Sequence, residues 1–198
     1  MVAVARSPAE FPPEPDHRVA AEFPPEPDHR VVAAVAGDRE AAHALLLEVA
    51  PRIRNLVRYL IRNDDEVDDI AQEAMVAVLK SLADYRAEGA FHAWVDRITA
   101  RATFKVLRTR KRRREEPLHP DQAEPTHDPF GEFHSRRRLV ALLDRLPEAQ
   151  RHVLVLHYVL GMTALEIAEE LGVPAETVRS RLRLAKTTLR TRLESTHR

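Results

Sequence analysis

The sequence has no cysteine, only five glycines, and an aromatic content of 5% among 198 residues. Without cysteine there is no disulfide framework and no thiolate-ligated metal site. So little glycine, together with few β-formers, argues against a sandwich, a barrel or a doubly wound sheet. Long apolar runs are missing too. The uncharged stretch Val153–Leu165 is thirteen residues long and holds His157 and Gly161, which is too short to cross a bilayer. The N-terminus shows no apolar signal core. These absences predict a soluble, helix-rich, cytoplasmic protein with no membrane insertion of its own.

Proline is present but unevenly spread. Seven of the 14 prolines fall between Pro8 and Pro27 and four between Pro117 and Pro129, leaving Pro51, Pro147 and Pro174 for the rest. Proline breaks helices and lacks a ladder donor, so the two clusters mark extended or unfolded stretches. The expected architecture is all-α. A disordered N-terminal tail (1–32) precedes a helical domain (33–114), a flexible acidic linker (115–137) and a second helical domain (138–198). The tail carries a direct repeat, Ala9–Val19 recurring unchanged as Ala21–Val31. Its unit is too short and too Pro-rich for a solenoid, so it reads as disordered chain in which Phe11 and Phe23 are weak docking residues at most.

Charge is balanced in total, 31 basic against 31 acidic residues, and segregated in detail. The tail through Ala36 is net −3 and Gly37–Asp96 net −5. Nine basic and no acidic residues follow between Arg97 and Arg114, then six acids and no Lys or Arg between Glu115 and Ser135. Arg136–Arg198 is net +5. A dense positive run at a helix end attracts phosphate in a salt-dependent way.

The C-terminal block has the pattern of a helix-turn-helix. Thr163-Ala-Leu-Glu166 has capping-box form, and Gly172 suits a left-handed helix terminus. A second helix is expected from about Ala175 to Leu193. At about 100° per residue, Val178, Leu182, Ala185, Leu189 and Leu193 form one stripe. Arg179, Arg183, Lys186 and Arg190 form another, with Ser180 and Thr187 beside them. Such a row suits the major groove, where Arg pairs with guanine and hydroxyls with phosphate.

In the first block, Val67, Ile70, Ala71, Ala74, Val78 and Leu82 form a core stripe. Asp69, Gln72, Glu73, Val76 and Lys80 face the other way, a composition better suited to protein contact than to solvent. The acids Asp64, Asp65, Glu66, Asp68 and Asp69 lack the glycine and terminal Glu of a calcium loop; no metal or cofactor is expected. Tyr85, Phe91, Trp94 and Phe104 lie just before and inside the basic helix, an aromatic-basic mixture that single-stranded nucleic acid requires. The helical spacing of Phe91, Trp94, Val95 and Ile98 also fits a partly buried Trp94. On the residues alone, a stand-alone DNA-binding regulator and a nucleic-acid enzyme remain open. The acidic outer face is more than a simple repressor needs, and the scattered histidines do not form a catalytic group.

Several segments in register resemble the extracytoplasmic-function (ECF) bacterial sigma factors. They are Gly37-Asp-Arg-Glu-Ala41, Asp68-Asp-Ile-Ala-Gln-Glu73, Tyr85-Arg86 with Phe91-His-Ala-Trp94 and Arg97-Ile98, Leu146-Pro-Glu148, and Gly172-Val-Pro-Ala-Glu-Thr-Val-Arg-Ser-Arg-Leu182. The resemblance implies two helical domains, regions 2 and 4, in a non-enzymatic subunit that binds core RNA polymerase (β′ clamp and β flap) and promoter DNA. It implies polymerase contact by Asp68, Asp69, Gln72 and Glu73. It implies contact with the −10 element by Tyr85, Arg86, Phe91, Trp94, Arg97, Arg101, Lys105 and Arg108. Thr177, Arg179, Ser180, Arg181, Arg183, Lys186 and Arg190 would read the −35 element. The acidic linker would thread a polymerase channel, and an anti-sigma factor, often membrane-bound in such systems, would be a partner. The chain departs from the family pattern at Arg101, Lys105 and Leu184, where members often carry Asn, Asp and Arg.

Overall fold

The structure, a computed structural model, describes residues 29–114 and 133–196. The first copy of the repeat and the acidic stretch 115–132 lie outside the described residues. The described chain is α-helical with two 3-10 turns and no strand. Its helices are α1 (His29–Val35), α2 (Arg39–Leu60), α3 (Val67–Ser81), α4 (Phe91–Arg114), α5 (Phe133–Asp144), α6 (Glu148–Tyr158), α7 (Ala164–Leu171) and α8 (Ala175–Thr196). Helix starts inside segments that proline density had assigned to tail and linker: α1 begins at His29 and α5 at Phe133. The breakers end at Pro27 and Pro129, and the chain becomes helical within a few residues of each.

Local chemistry sets the boundaries. Gly37 adopts φ 99 after α1, and the Asp38 carboxylate caps α2 by accepting from the Glu40 and Ala41 amides at 2.9 and 3.1 Å. Helix α2 runs through Pro51. The carbonyl that loses its donor there belongs to Leu47, a residue 63% exposed, so water can replace the bond. Both capping-box bonds form at Thr163 and Glu166, and Gly172 ends α7 at φ 65, the left-handed conformation for which glycine carries no Cβ penalty. Together the box satisfies two donors at the α7 N-terminus, a contribution of about 1 kcal/mol.

The predicted α3 stripe is buried, and so is the α8 stripe through Ala185; Leu189 is half-buried and the Leu193 side chain lies outside the described residues. Val67, Ile70, Ala71, Ala74, Val78 and Leu82 turn inward from α3 and the turn after it, as do Val178, Leu182 and Ala185 from α8. Helices α2, α3 and α4 pack as one bundle, tied by Arg52, whose guanidinium donates twice to the buried Asp96 carboxylate at 2.7 and 2.6 Å. Thr99 and Thr103 are buried in α4, and their hydroxyls donate to the carbonyls one turn back at 2.8 Å. Helices α6, α7 and α8 form the second unit.

The two units are not separate. A single buried cluster extends from Val49 on α2 to Ala185 on α8, although two small domains on a linker would by default touch only weakly. The Asp144 carboxylate joins them. It accepts from Arg58 Nη1 and Nη2 at 3.0 and 2.7 Å and from Arg151 Nη2 at 2.6 Å. Arg58 also pairs with Asp64, and Arg62 donates to the Leu146 carbonyl at 2.9 Å. Burial pulls the Arg151 guanidinium below its ordinary range, against the opposing pull of Asp144. Beside this hub, His152 donates from Nε2 to the Leu60 carbonyl at 3.2 Å and meets the Phe104 ring edge-on at 4.9 Å.

Two outcomes test this junction. Asp144→Ala leaves the buried Arg151 charge without its carboxylate, so chemical denaturation should show a loss of roughly 3 kcal/mol; a loss below about 1 kcal/mol would remove Asp144 as the hub. Burial holds the His152 imidazole below its ordinary value, with Arg151 and Arg181 acting in the same direction and Glu148 and the Leu60 carbonyl against them. The neutral ring is therefore the one that fits the folded state. Its stabilisation is present above about pH 6.5 and lost as the pH falls below that value. Thermal melts at pH 7.5 and 5.5 should show a larger loss for the native protein than for His152→Gln, which keeps a donor without titrating.

Candidate functional site

Three charged surfaces converge on α3, α4 and α8. On α3, Asp69, Gln72 and Glu73 are exposed and line a cleft of ≈ 820 Å³ whose other wall is Ile98, Arg101, Ala102 and Lys105 of α4. Asp68 sits at the edge of this face, ion-paired at 2.6 Å with Arg54 of α2. Val76 and Leu79 add apolar surface, 45% and 47% exposed. An acidic rim around exposed aliphatic side chains is a surface for a partner protein with basic residues around an apolar centre.

At the N-terminus of α4 the aromatic residues pack on one another. Tyr85, Phe91 and Trp94 form a three-ring cluster with centroid separations of 5.4, 5.1 and 5.7 Å. The Tyr85 hydroxyl donates to the Gly89 carbonyl at 2.6 Å, and burial pushes that phenol up. Trp94 is half-buried, as its helical spacing predicted. The loop closed by this bond carries Arg86, exposed, and Ala87 at φ 55. A non-glycine residue in the left-handed region stores backbone strain of about 1–2 kcal/mol. The loop is thus held in shape by its aromatic cluster, with its polar side facing solvent.

Further along α4, Arg97, Arg101 and Arg108 share one exposed stripe that reaches partners on α7. Arg97 donates to Glu166 at 3.0 Å and Arg101 to Glu170 at 3.2 Å, while Arg108 reaches the Glu170 carbonyl at 3.4 Å. Both carboxylates belong to α7. Lys105 is turned away from them, into the α3 cleft. The sequence had no local signal for these partners beyond a matched spacing, the two arginines and the two glutamates each standing at i and i+4.

On α8, Arg179, Arg183 and Arg190 are exposed on the same side. Arg179 pairs with Glu176 at 3.1 Å, and Lys186 Nζ lies 5.4 Å from the centre of the Tyr158 ring. Thr187, also exposed, donates its hydroxyl to the Arg183 carbonyl. Ser180 stands beside this row, whereas the helical period sets Thr177 on the far side of α8, toward Arg181. Arg181 points to the opposite flank, where it lines the cleft between the units with Phe104, His152 and Leu171. The structure therefore gathers Arg179, Arg183, Lys186 and Arg190 on the expected α8 reading face and places Arg181 elsewhere.

This helix-turn-helix and the preceding bundle match two family models. Residues 45–113 match "Sigma-70 region 2" and residues 136–189 match "Sigma-70, region 4". ECF RNA polymerase sigma factor SigM of Mycobacterium tuberculosis is 30% identical over 157 residues, 79% of each chain. The chain belongs to the ECF RNA polymerase sigma factors. It is also 35% identical over 152 residues to sigma factor SigE of Mycolicibacterium smegmatis, and that match spans 74% of this chain but only 59% of the relative. Among the solved structures that share the fold are two complexes. They are sigma factor RpoE of Bartonella quintana in complex with the anti-sigma factor NepR (TM-score 0.58, 19% identity, 77% of this chain and 96% of that one) and CnrH in complex with the cytosolic domain of CnrY (TM-score 0.52, 23% identity, 84% and 96%). Sigma factors of this class are transcription initiation factors, not enzymes. No helix among the described residues of this sigma factor is long and apolar enough to cross a membrane.

Replacing Arg179 and Arg183 by Ala should weaken binding of the sigma factor to −35 duplex by roughly 1–3 kcal/mol for each arginine that pairs with a base. Equal discrimination between promoter and scrambled duplex before and after the change would remove α8 as the reader.

Proposed function

We propose that this sigma factor works in the cytoplasm by docking α3 on core RNA polymerase and reading two promoter elements with α4 and α8. Asp68, Asp69, Gln72 and Glu73 contact the polymerase clamp. Tyr85, Arg86, Phe91, Trp94, Arg97, Arg101, Lys105 and Arg108 serve the −10 element, where melted strand needs rings to stack on and cations for its phosphates. Arg179, Arg183, Lys186 and Arg190, with Ser180 beside them, serve the −35 element. The β flap meets region 4. Because the RpoE neighbour is a complex with an anti-sigma factor and the CnrH neighbour a complex with the cytosolic domain of CnrY, an anti-sigma factor, membrane-bound or soluble, is proposed as a regulator here too.

One observation carries this reading: an acidic, partly apolar protein-contact face on α3 shares a cleft with the basic side of α4. A stand-alone repressor has no use for that pairing, whereas a subunit that couples polymerase to melted DNA needs the two surfaces side by side. Engagement of both elements also requires movement. The centres of the −10 and −35 elements lie roughly 80 Å apart along B-form DNA at about 3.4 Å per base pair. Helices α4 and α7 touch in this structure, so the two units must part before both elements are engaged.

Run-off transcription with purified core polymerase on a library of candidate promoters tests the assignment. Promoter-dependent transcripts should appear only when the protein is added. Asp69→Lys with Glu73→Lys should abolish them and reduce polymerase binding about tenfold or more, while the helical content stays unchanged. Undiminished polymerase binding by that variant would move the docking face off α3; duplex binding without any transcript would favour the stand-alone regulator.

A further inference from the structure

Helix α1 carries none of the polymerase- or DNA-binding residues, and at seven residues it is too short to persist without packing. Its place is fixed by what it covers. The Ala33 and Ala34 carbonyls accept from the Asp38 and Gly37 amides, each at 3.0 Å, and this corner packs α1 on α2. Val31 and Ala34, 4% and 5% exposed, then join Ala42 and Leu45 of α2 and Leu82 of the turn after α3. These five side chains form a small apolar cluster distinct from the core that the two units share. Tyr85, Phe91 and Trp94 pack against it, so α1 supplies part of the floor beneath the three rings. The polar edge of α1 leads to the same place. Glu48 of α2 accepts from Arg30 at 2.8 Å, and its other oxygen lies 3.6 Å from His92 Nε2, beside Phe91 on the first turn of α4. These polar groups are half-exposed and contribute little each; burial of Val31 is the larger hold.

We infer that α1 is a positioning element for the loop before α4, setting Tyr85, Phe91 and Trp94 in the arrangement that receives melted −10 strand, with Val31 as its anchor. This rests on the reading of those rings as part of the −10 surface. The bond from the Tyr85 hydroxyl to the Gly89 carbonyl closes the loop on itself and does not tie it to the bundle. The tie is the apolar floor, which α1 completes. The inference also gives the two copies of the repeat different tasks. Helix α1 begins inside the second copy, at His29-Arg30-Val31. The first copy has the same His17-Arg18-Val19 but continues Ala20-Ala21-Glu22. Superposing Val19 on Val31 sets Glu22 at the place of the buried Ala34, where an unpaired carboxylate is costly. The first copy therefore cannot stand in for the second.

The experiment uses the full chain with Val31→Asp, and with Val19→Asp as the matched change in the first copy. Trp94 is the single tryptophan of the chain, so its fluorescence reports the ring cluster without a label. Promoter opening is read with core polymerase by permanganate reactivity of unpaired thymines, and polymerase binding is measured separately. Val31→Asp should shift Trp94 emission to the red and reduce opening about three- to tenfold, the cost of ordering one or two loose side chains. Polymerase binding through α3 should stay within about twofold of the native value. Val31→Ala should fall between Val31→Asp and the native protein, and it serves as the test if a thermal melt shows Val31→Asp unfolded at the assay temperature. Val31→Ile keeps the seat filled and should behave as the native protein, as should Val19→Asp.

Native emission or native opening in a folded Val31 variant overturns the inference, as does an equal effect of Val19→Asp. A matching loss of polymerase binding overturns it too, since α1 would then only stabilise the bundle. Tyr85→Ala with Trp94→Ala separates this inference from the reading on which it rests. Normal opening by that double variant removes the rings from the −10 surface, whatever Val31 does. Impaired opening there beside normal opening in Val31→Asp removes only the role of α1.

Discussion

The Asp144 carboxylate is the point on which the arrangement of the described chain depends. It ends α5, receives Arg58 from the first unit and Arg151 from the second, and lies next to the apolar cluster that both units share. A buried Arg without a carboxylate is costly, and two of them converging would repel. Asp144 removes both problems at once and fixes the orientation of α5 and α6 against α2. His152, hydrogen-bonded to Leu60 beside this hub, and the arginine stripe of α4 take their positions from that docking.

The consequence is a protein whose two basic surfaces are unequal. The α8 row faces solvent, whereas the α4 stripe is shared with α7. For a sigma factor that reads two distant promoter elements as proposed, the closed form would be a resting geometry rather than a working one. Opening it costs the buried apolar contacts and the Asp144 bonds, and that cost must be met by polymerase and DNA contacts together. The exposed acidic face of α3 is compatible with this order of events, since it is accessible in the closed form and needs no rearrangement to meet a partner.

The strain and packing at the start of α4 follow the same logic. The ring cluster of Tyr85, Phe91 and Trp94 holds a loop containing a left-handed alanine. Rings already in contact lose less entropy when they accept a base than rings on a loose loop would. The sequence showed the aromatic residues and the basic ones in the same stretch; their mutual packing depends on the turn before α4, which brings Tyr85 back over the helix.

Much of this was readable from the chain alone, because the forces involved are local. Helical period fixed the buried stripes of α3 and α8, the capping box and Gly172 fixed the limits of α7, and proline density separated the helical blocks. The acidic side of α3 and the basic row of α8 followed from the same period, because residues opposite a buried stripe must face outward. Arg181 joined the −35 residues through the family resemblance alone; the same period sets it on the side of α8 away from the row, where it lines the junction between the units. Only tertiary structure decided the rest. Asp144 looks like any helix-end acid until α2 delivers Arg58 to it. Glu166 and Glu170 look like solvated acids until docking sets α7 beside α4. Long-range pairing depends on how two units approach in space, and a helical period of about 3.6 residues carries no information about that approach.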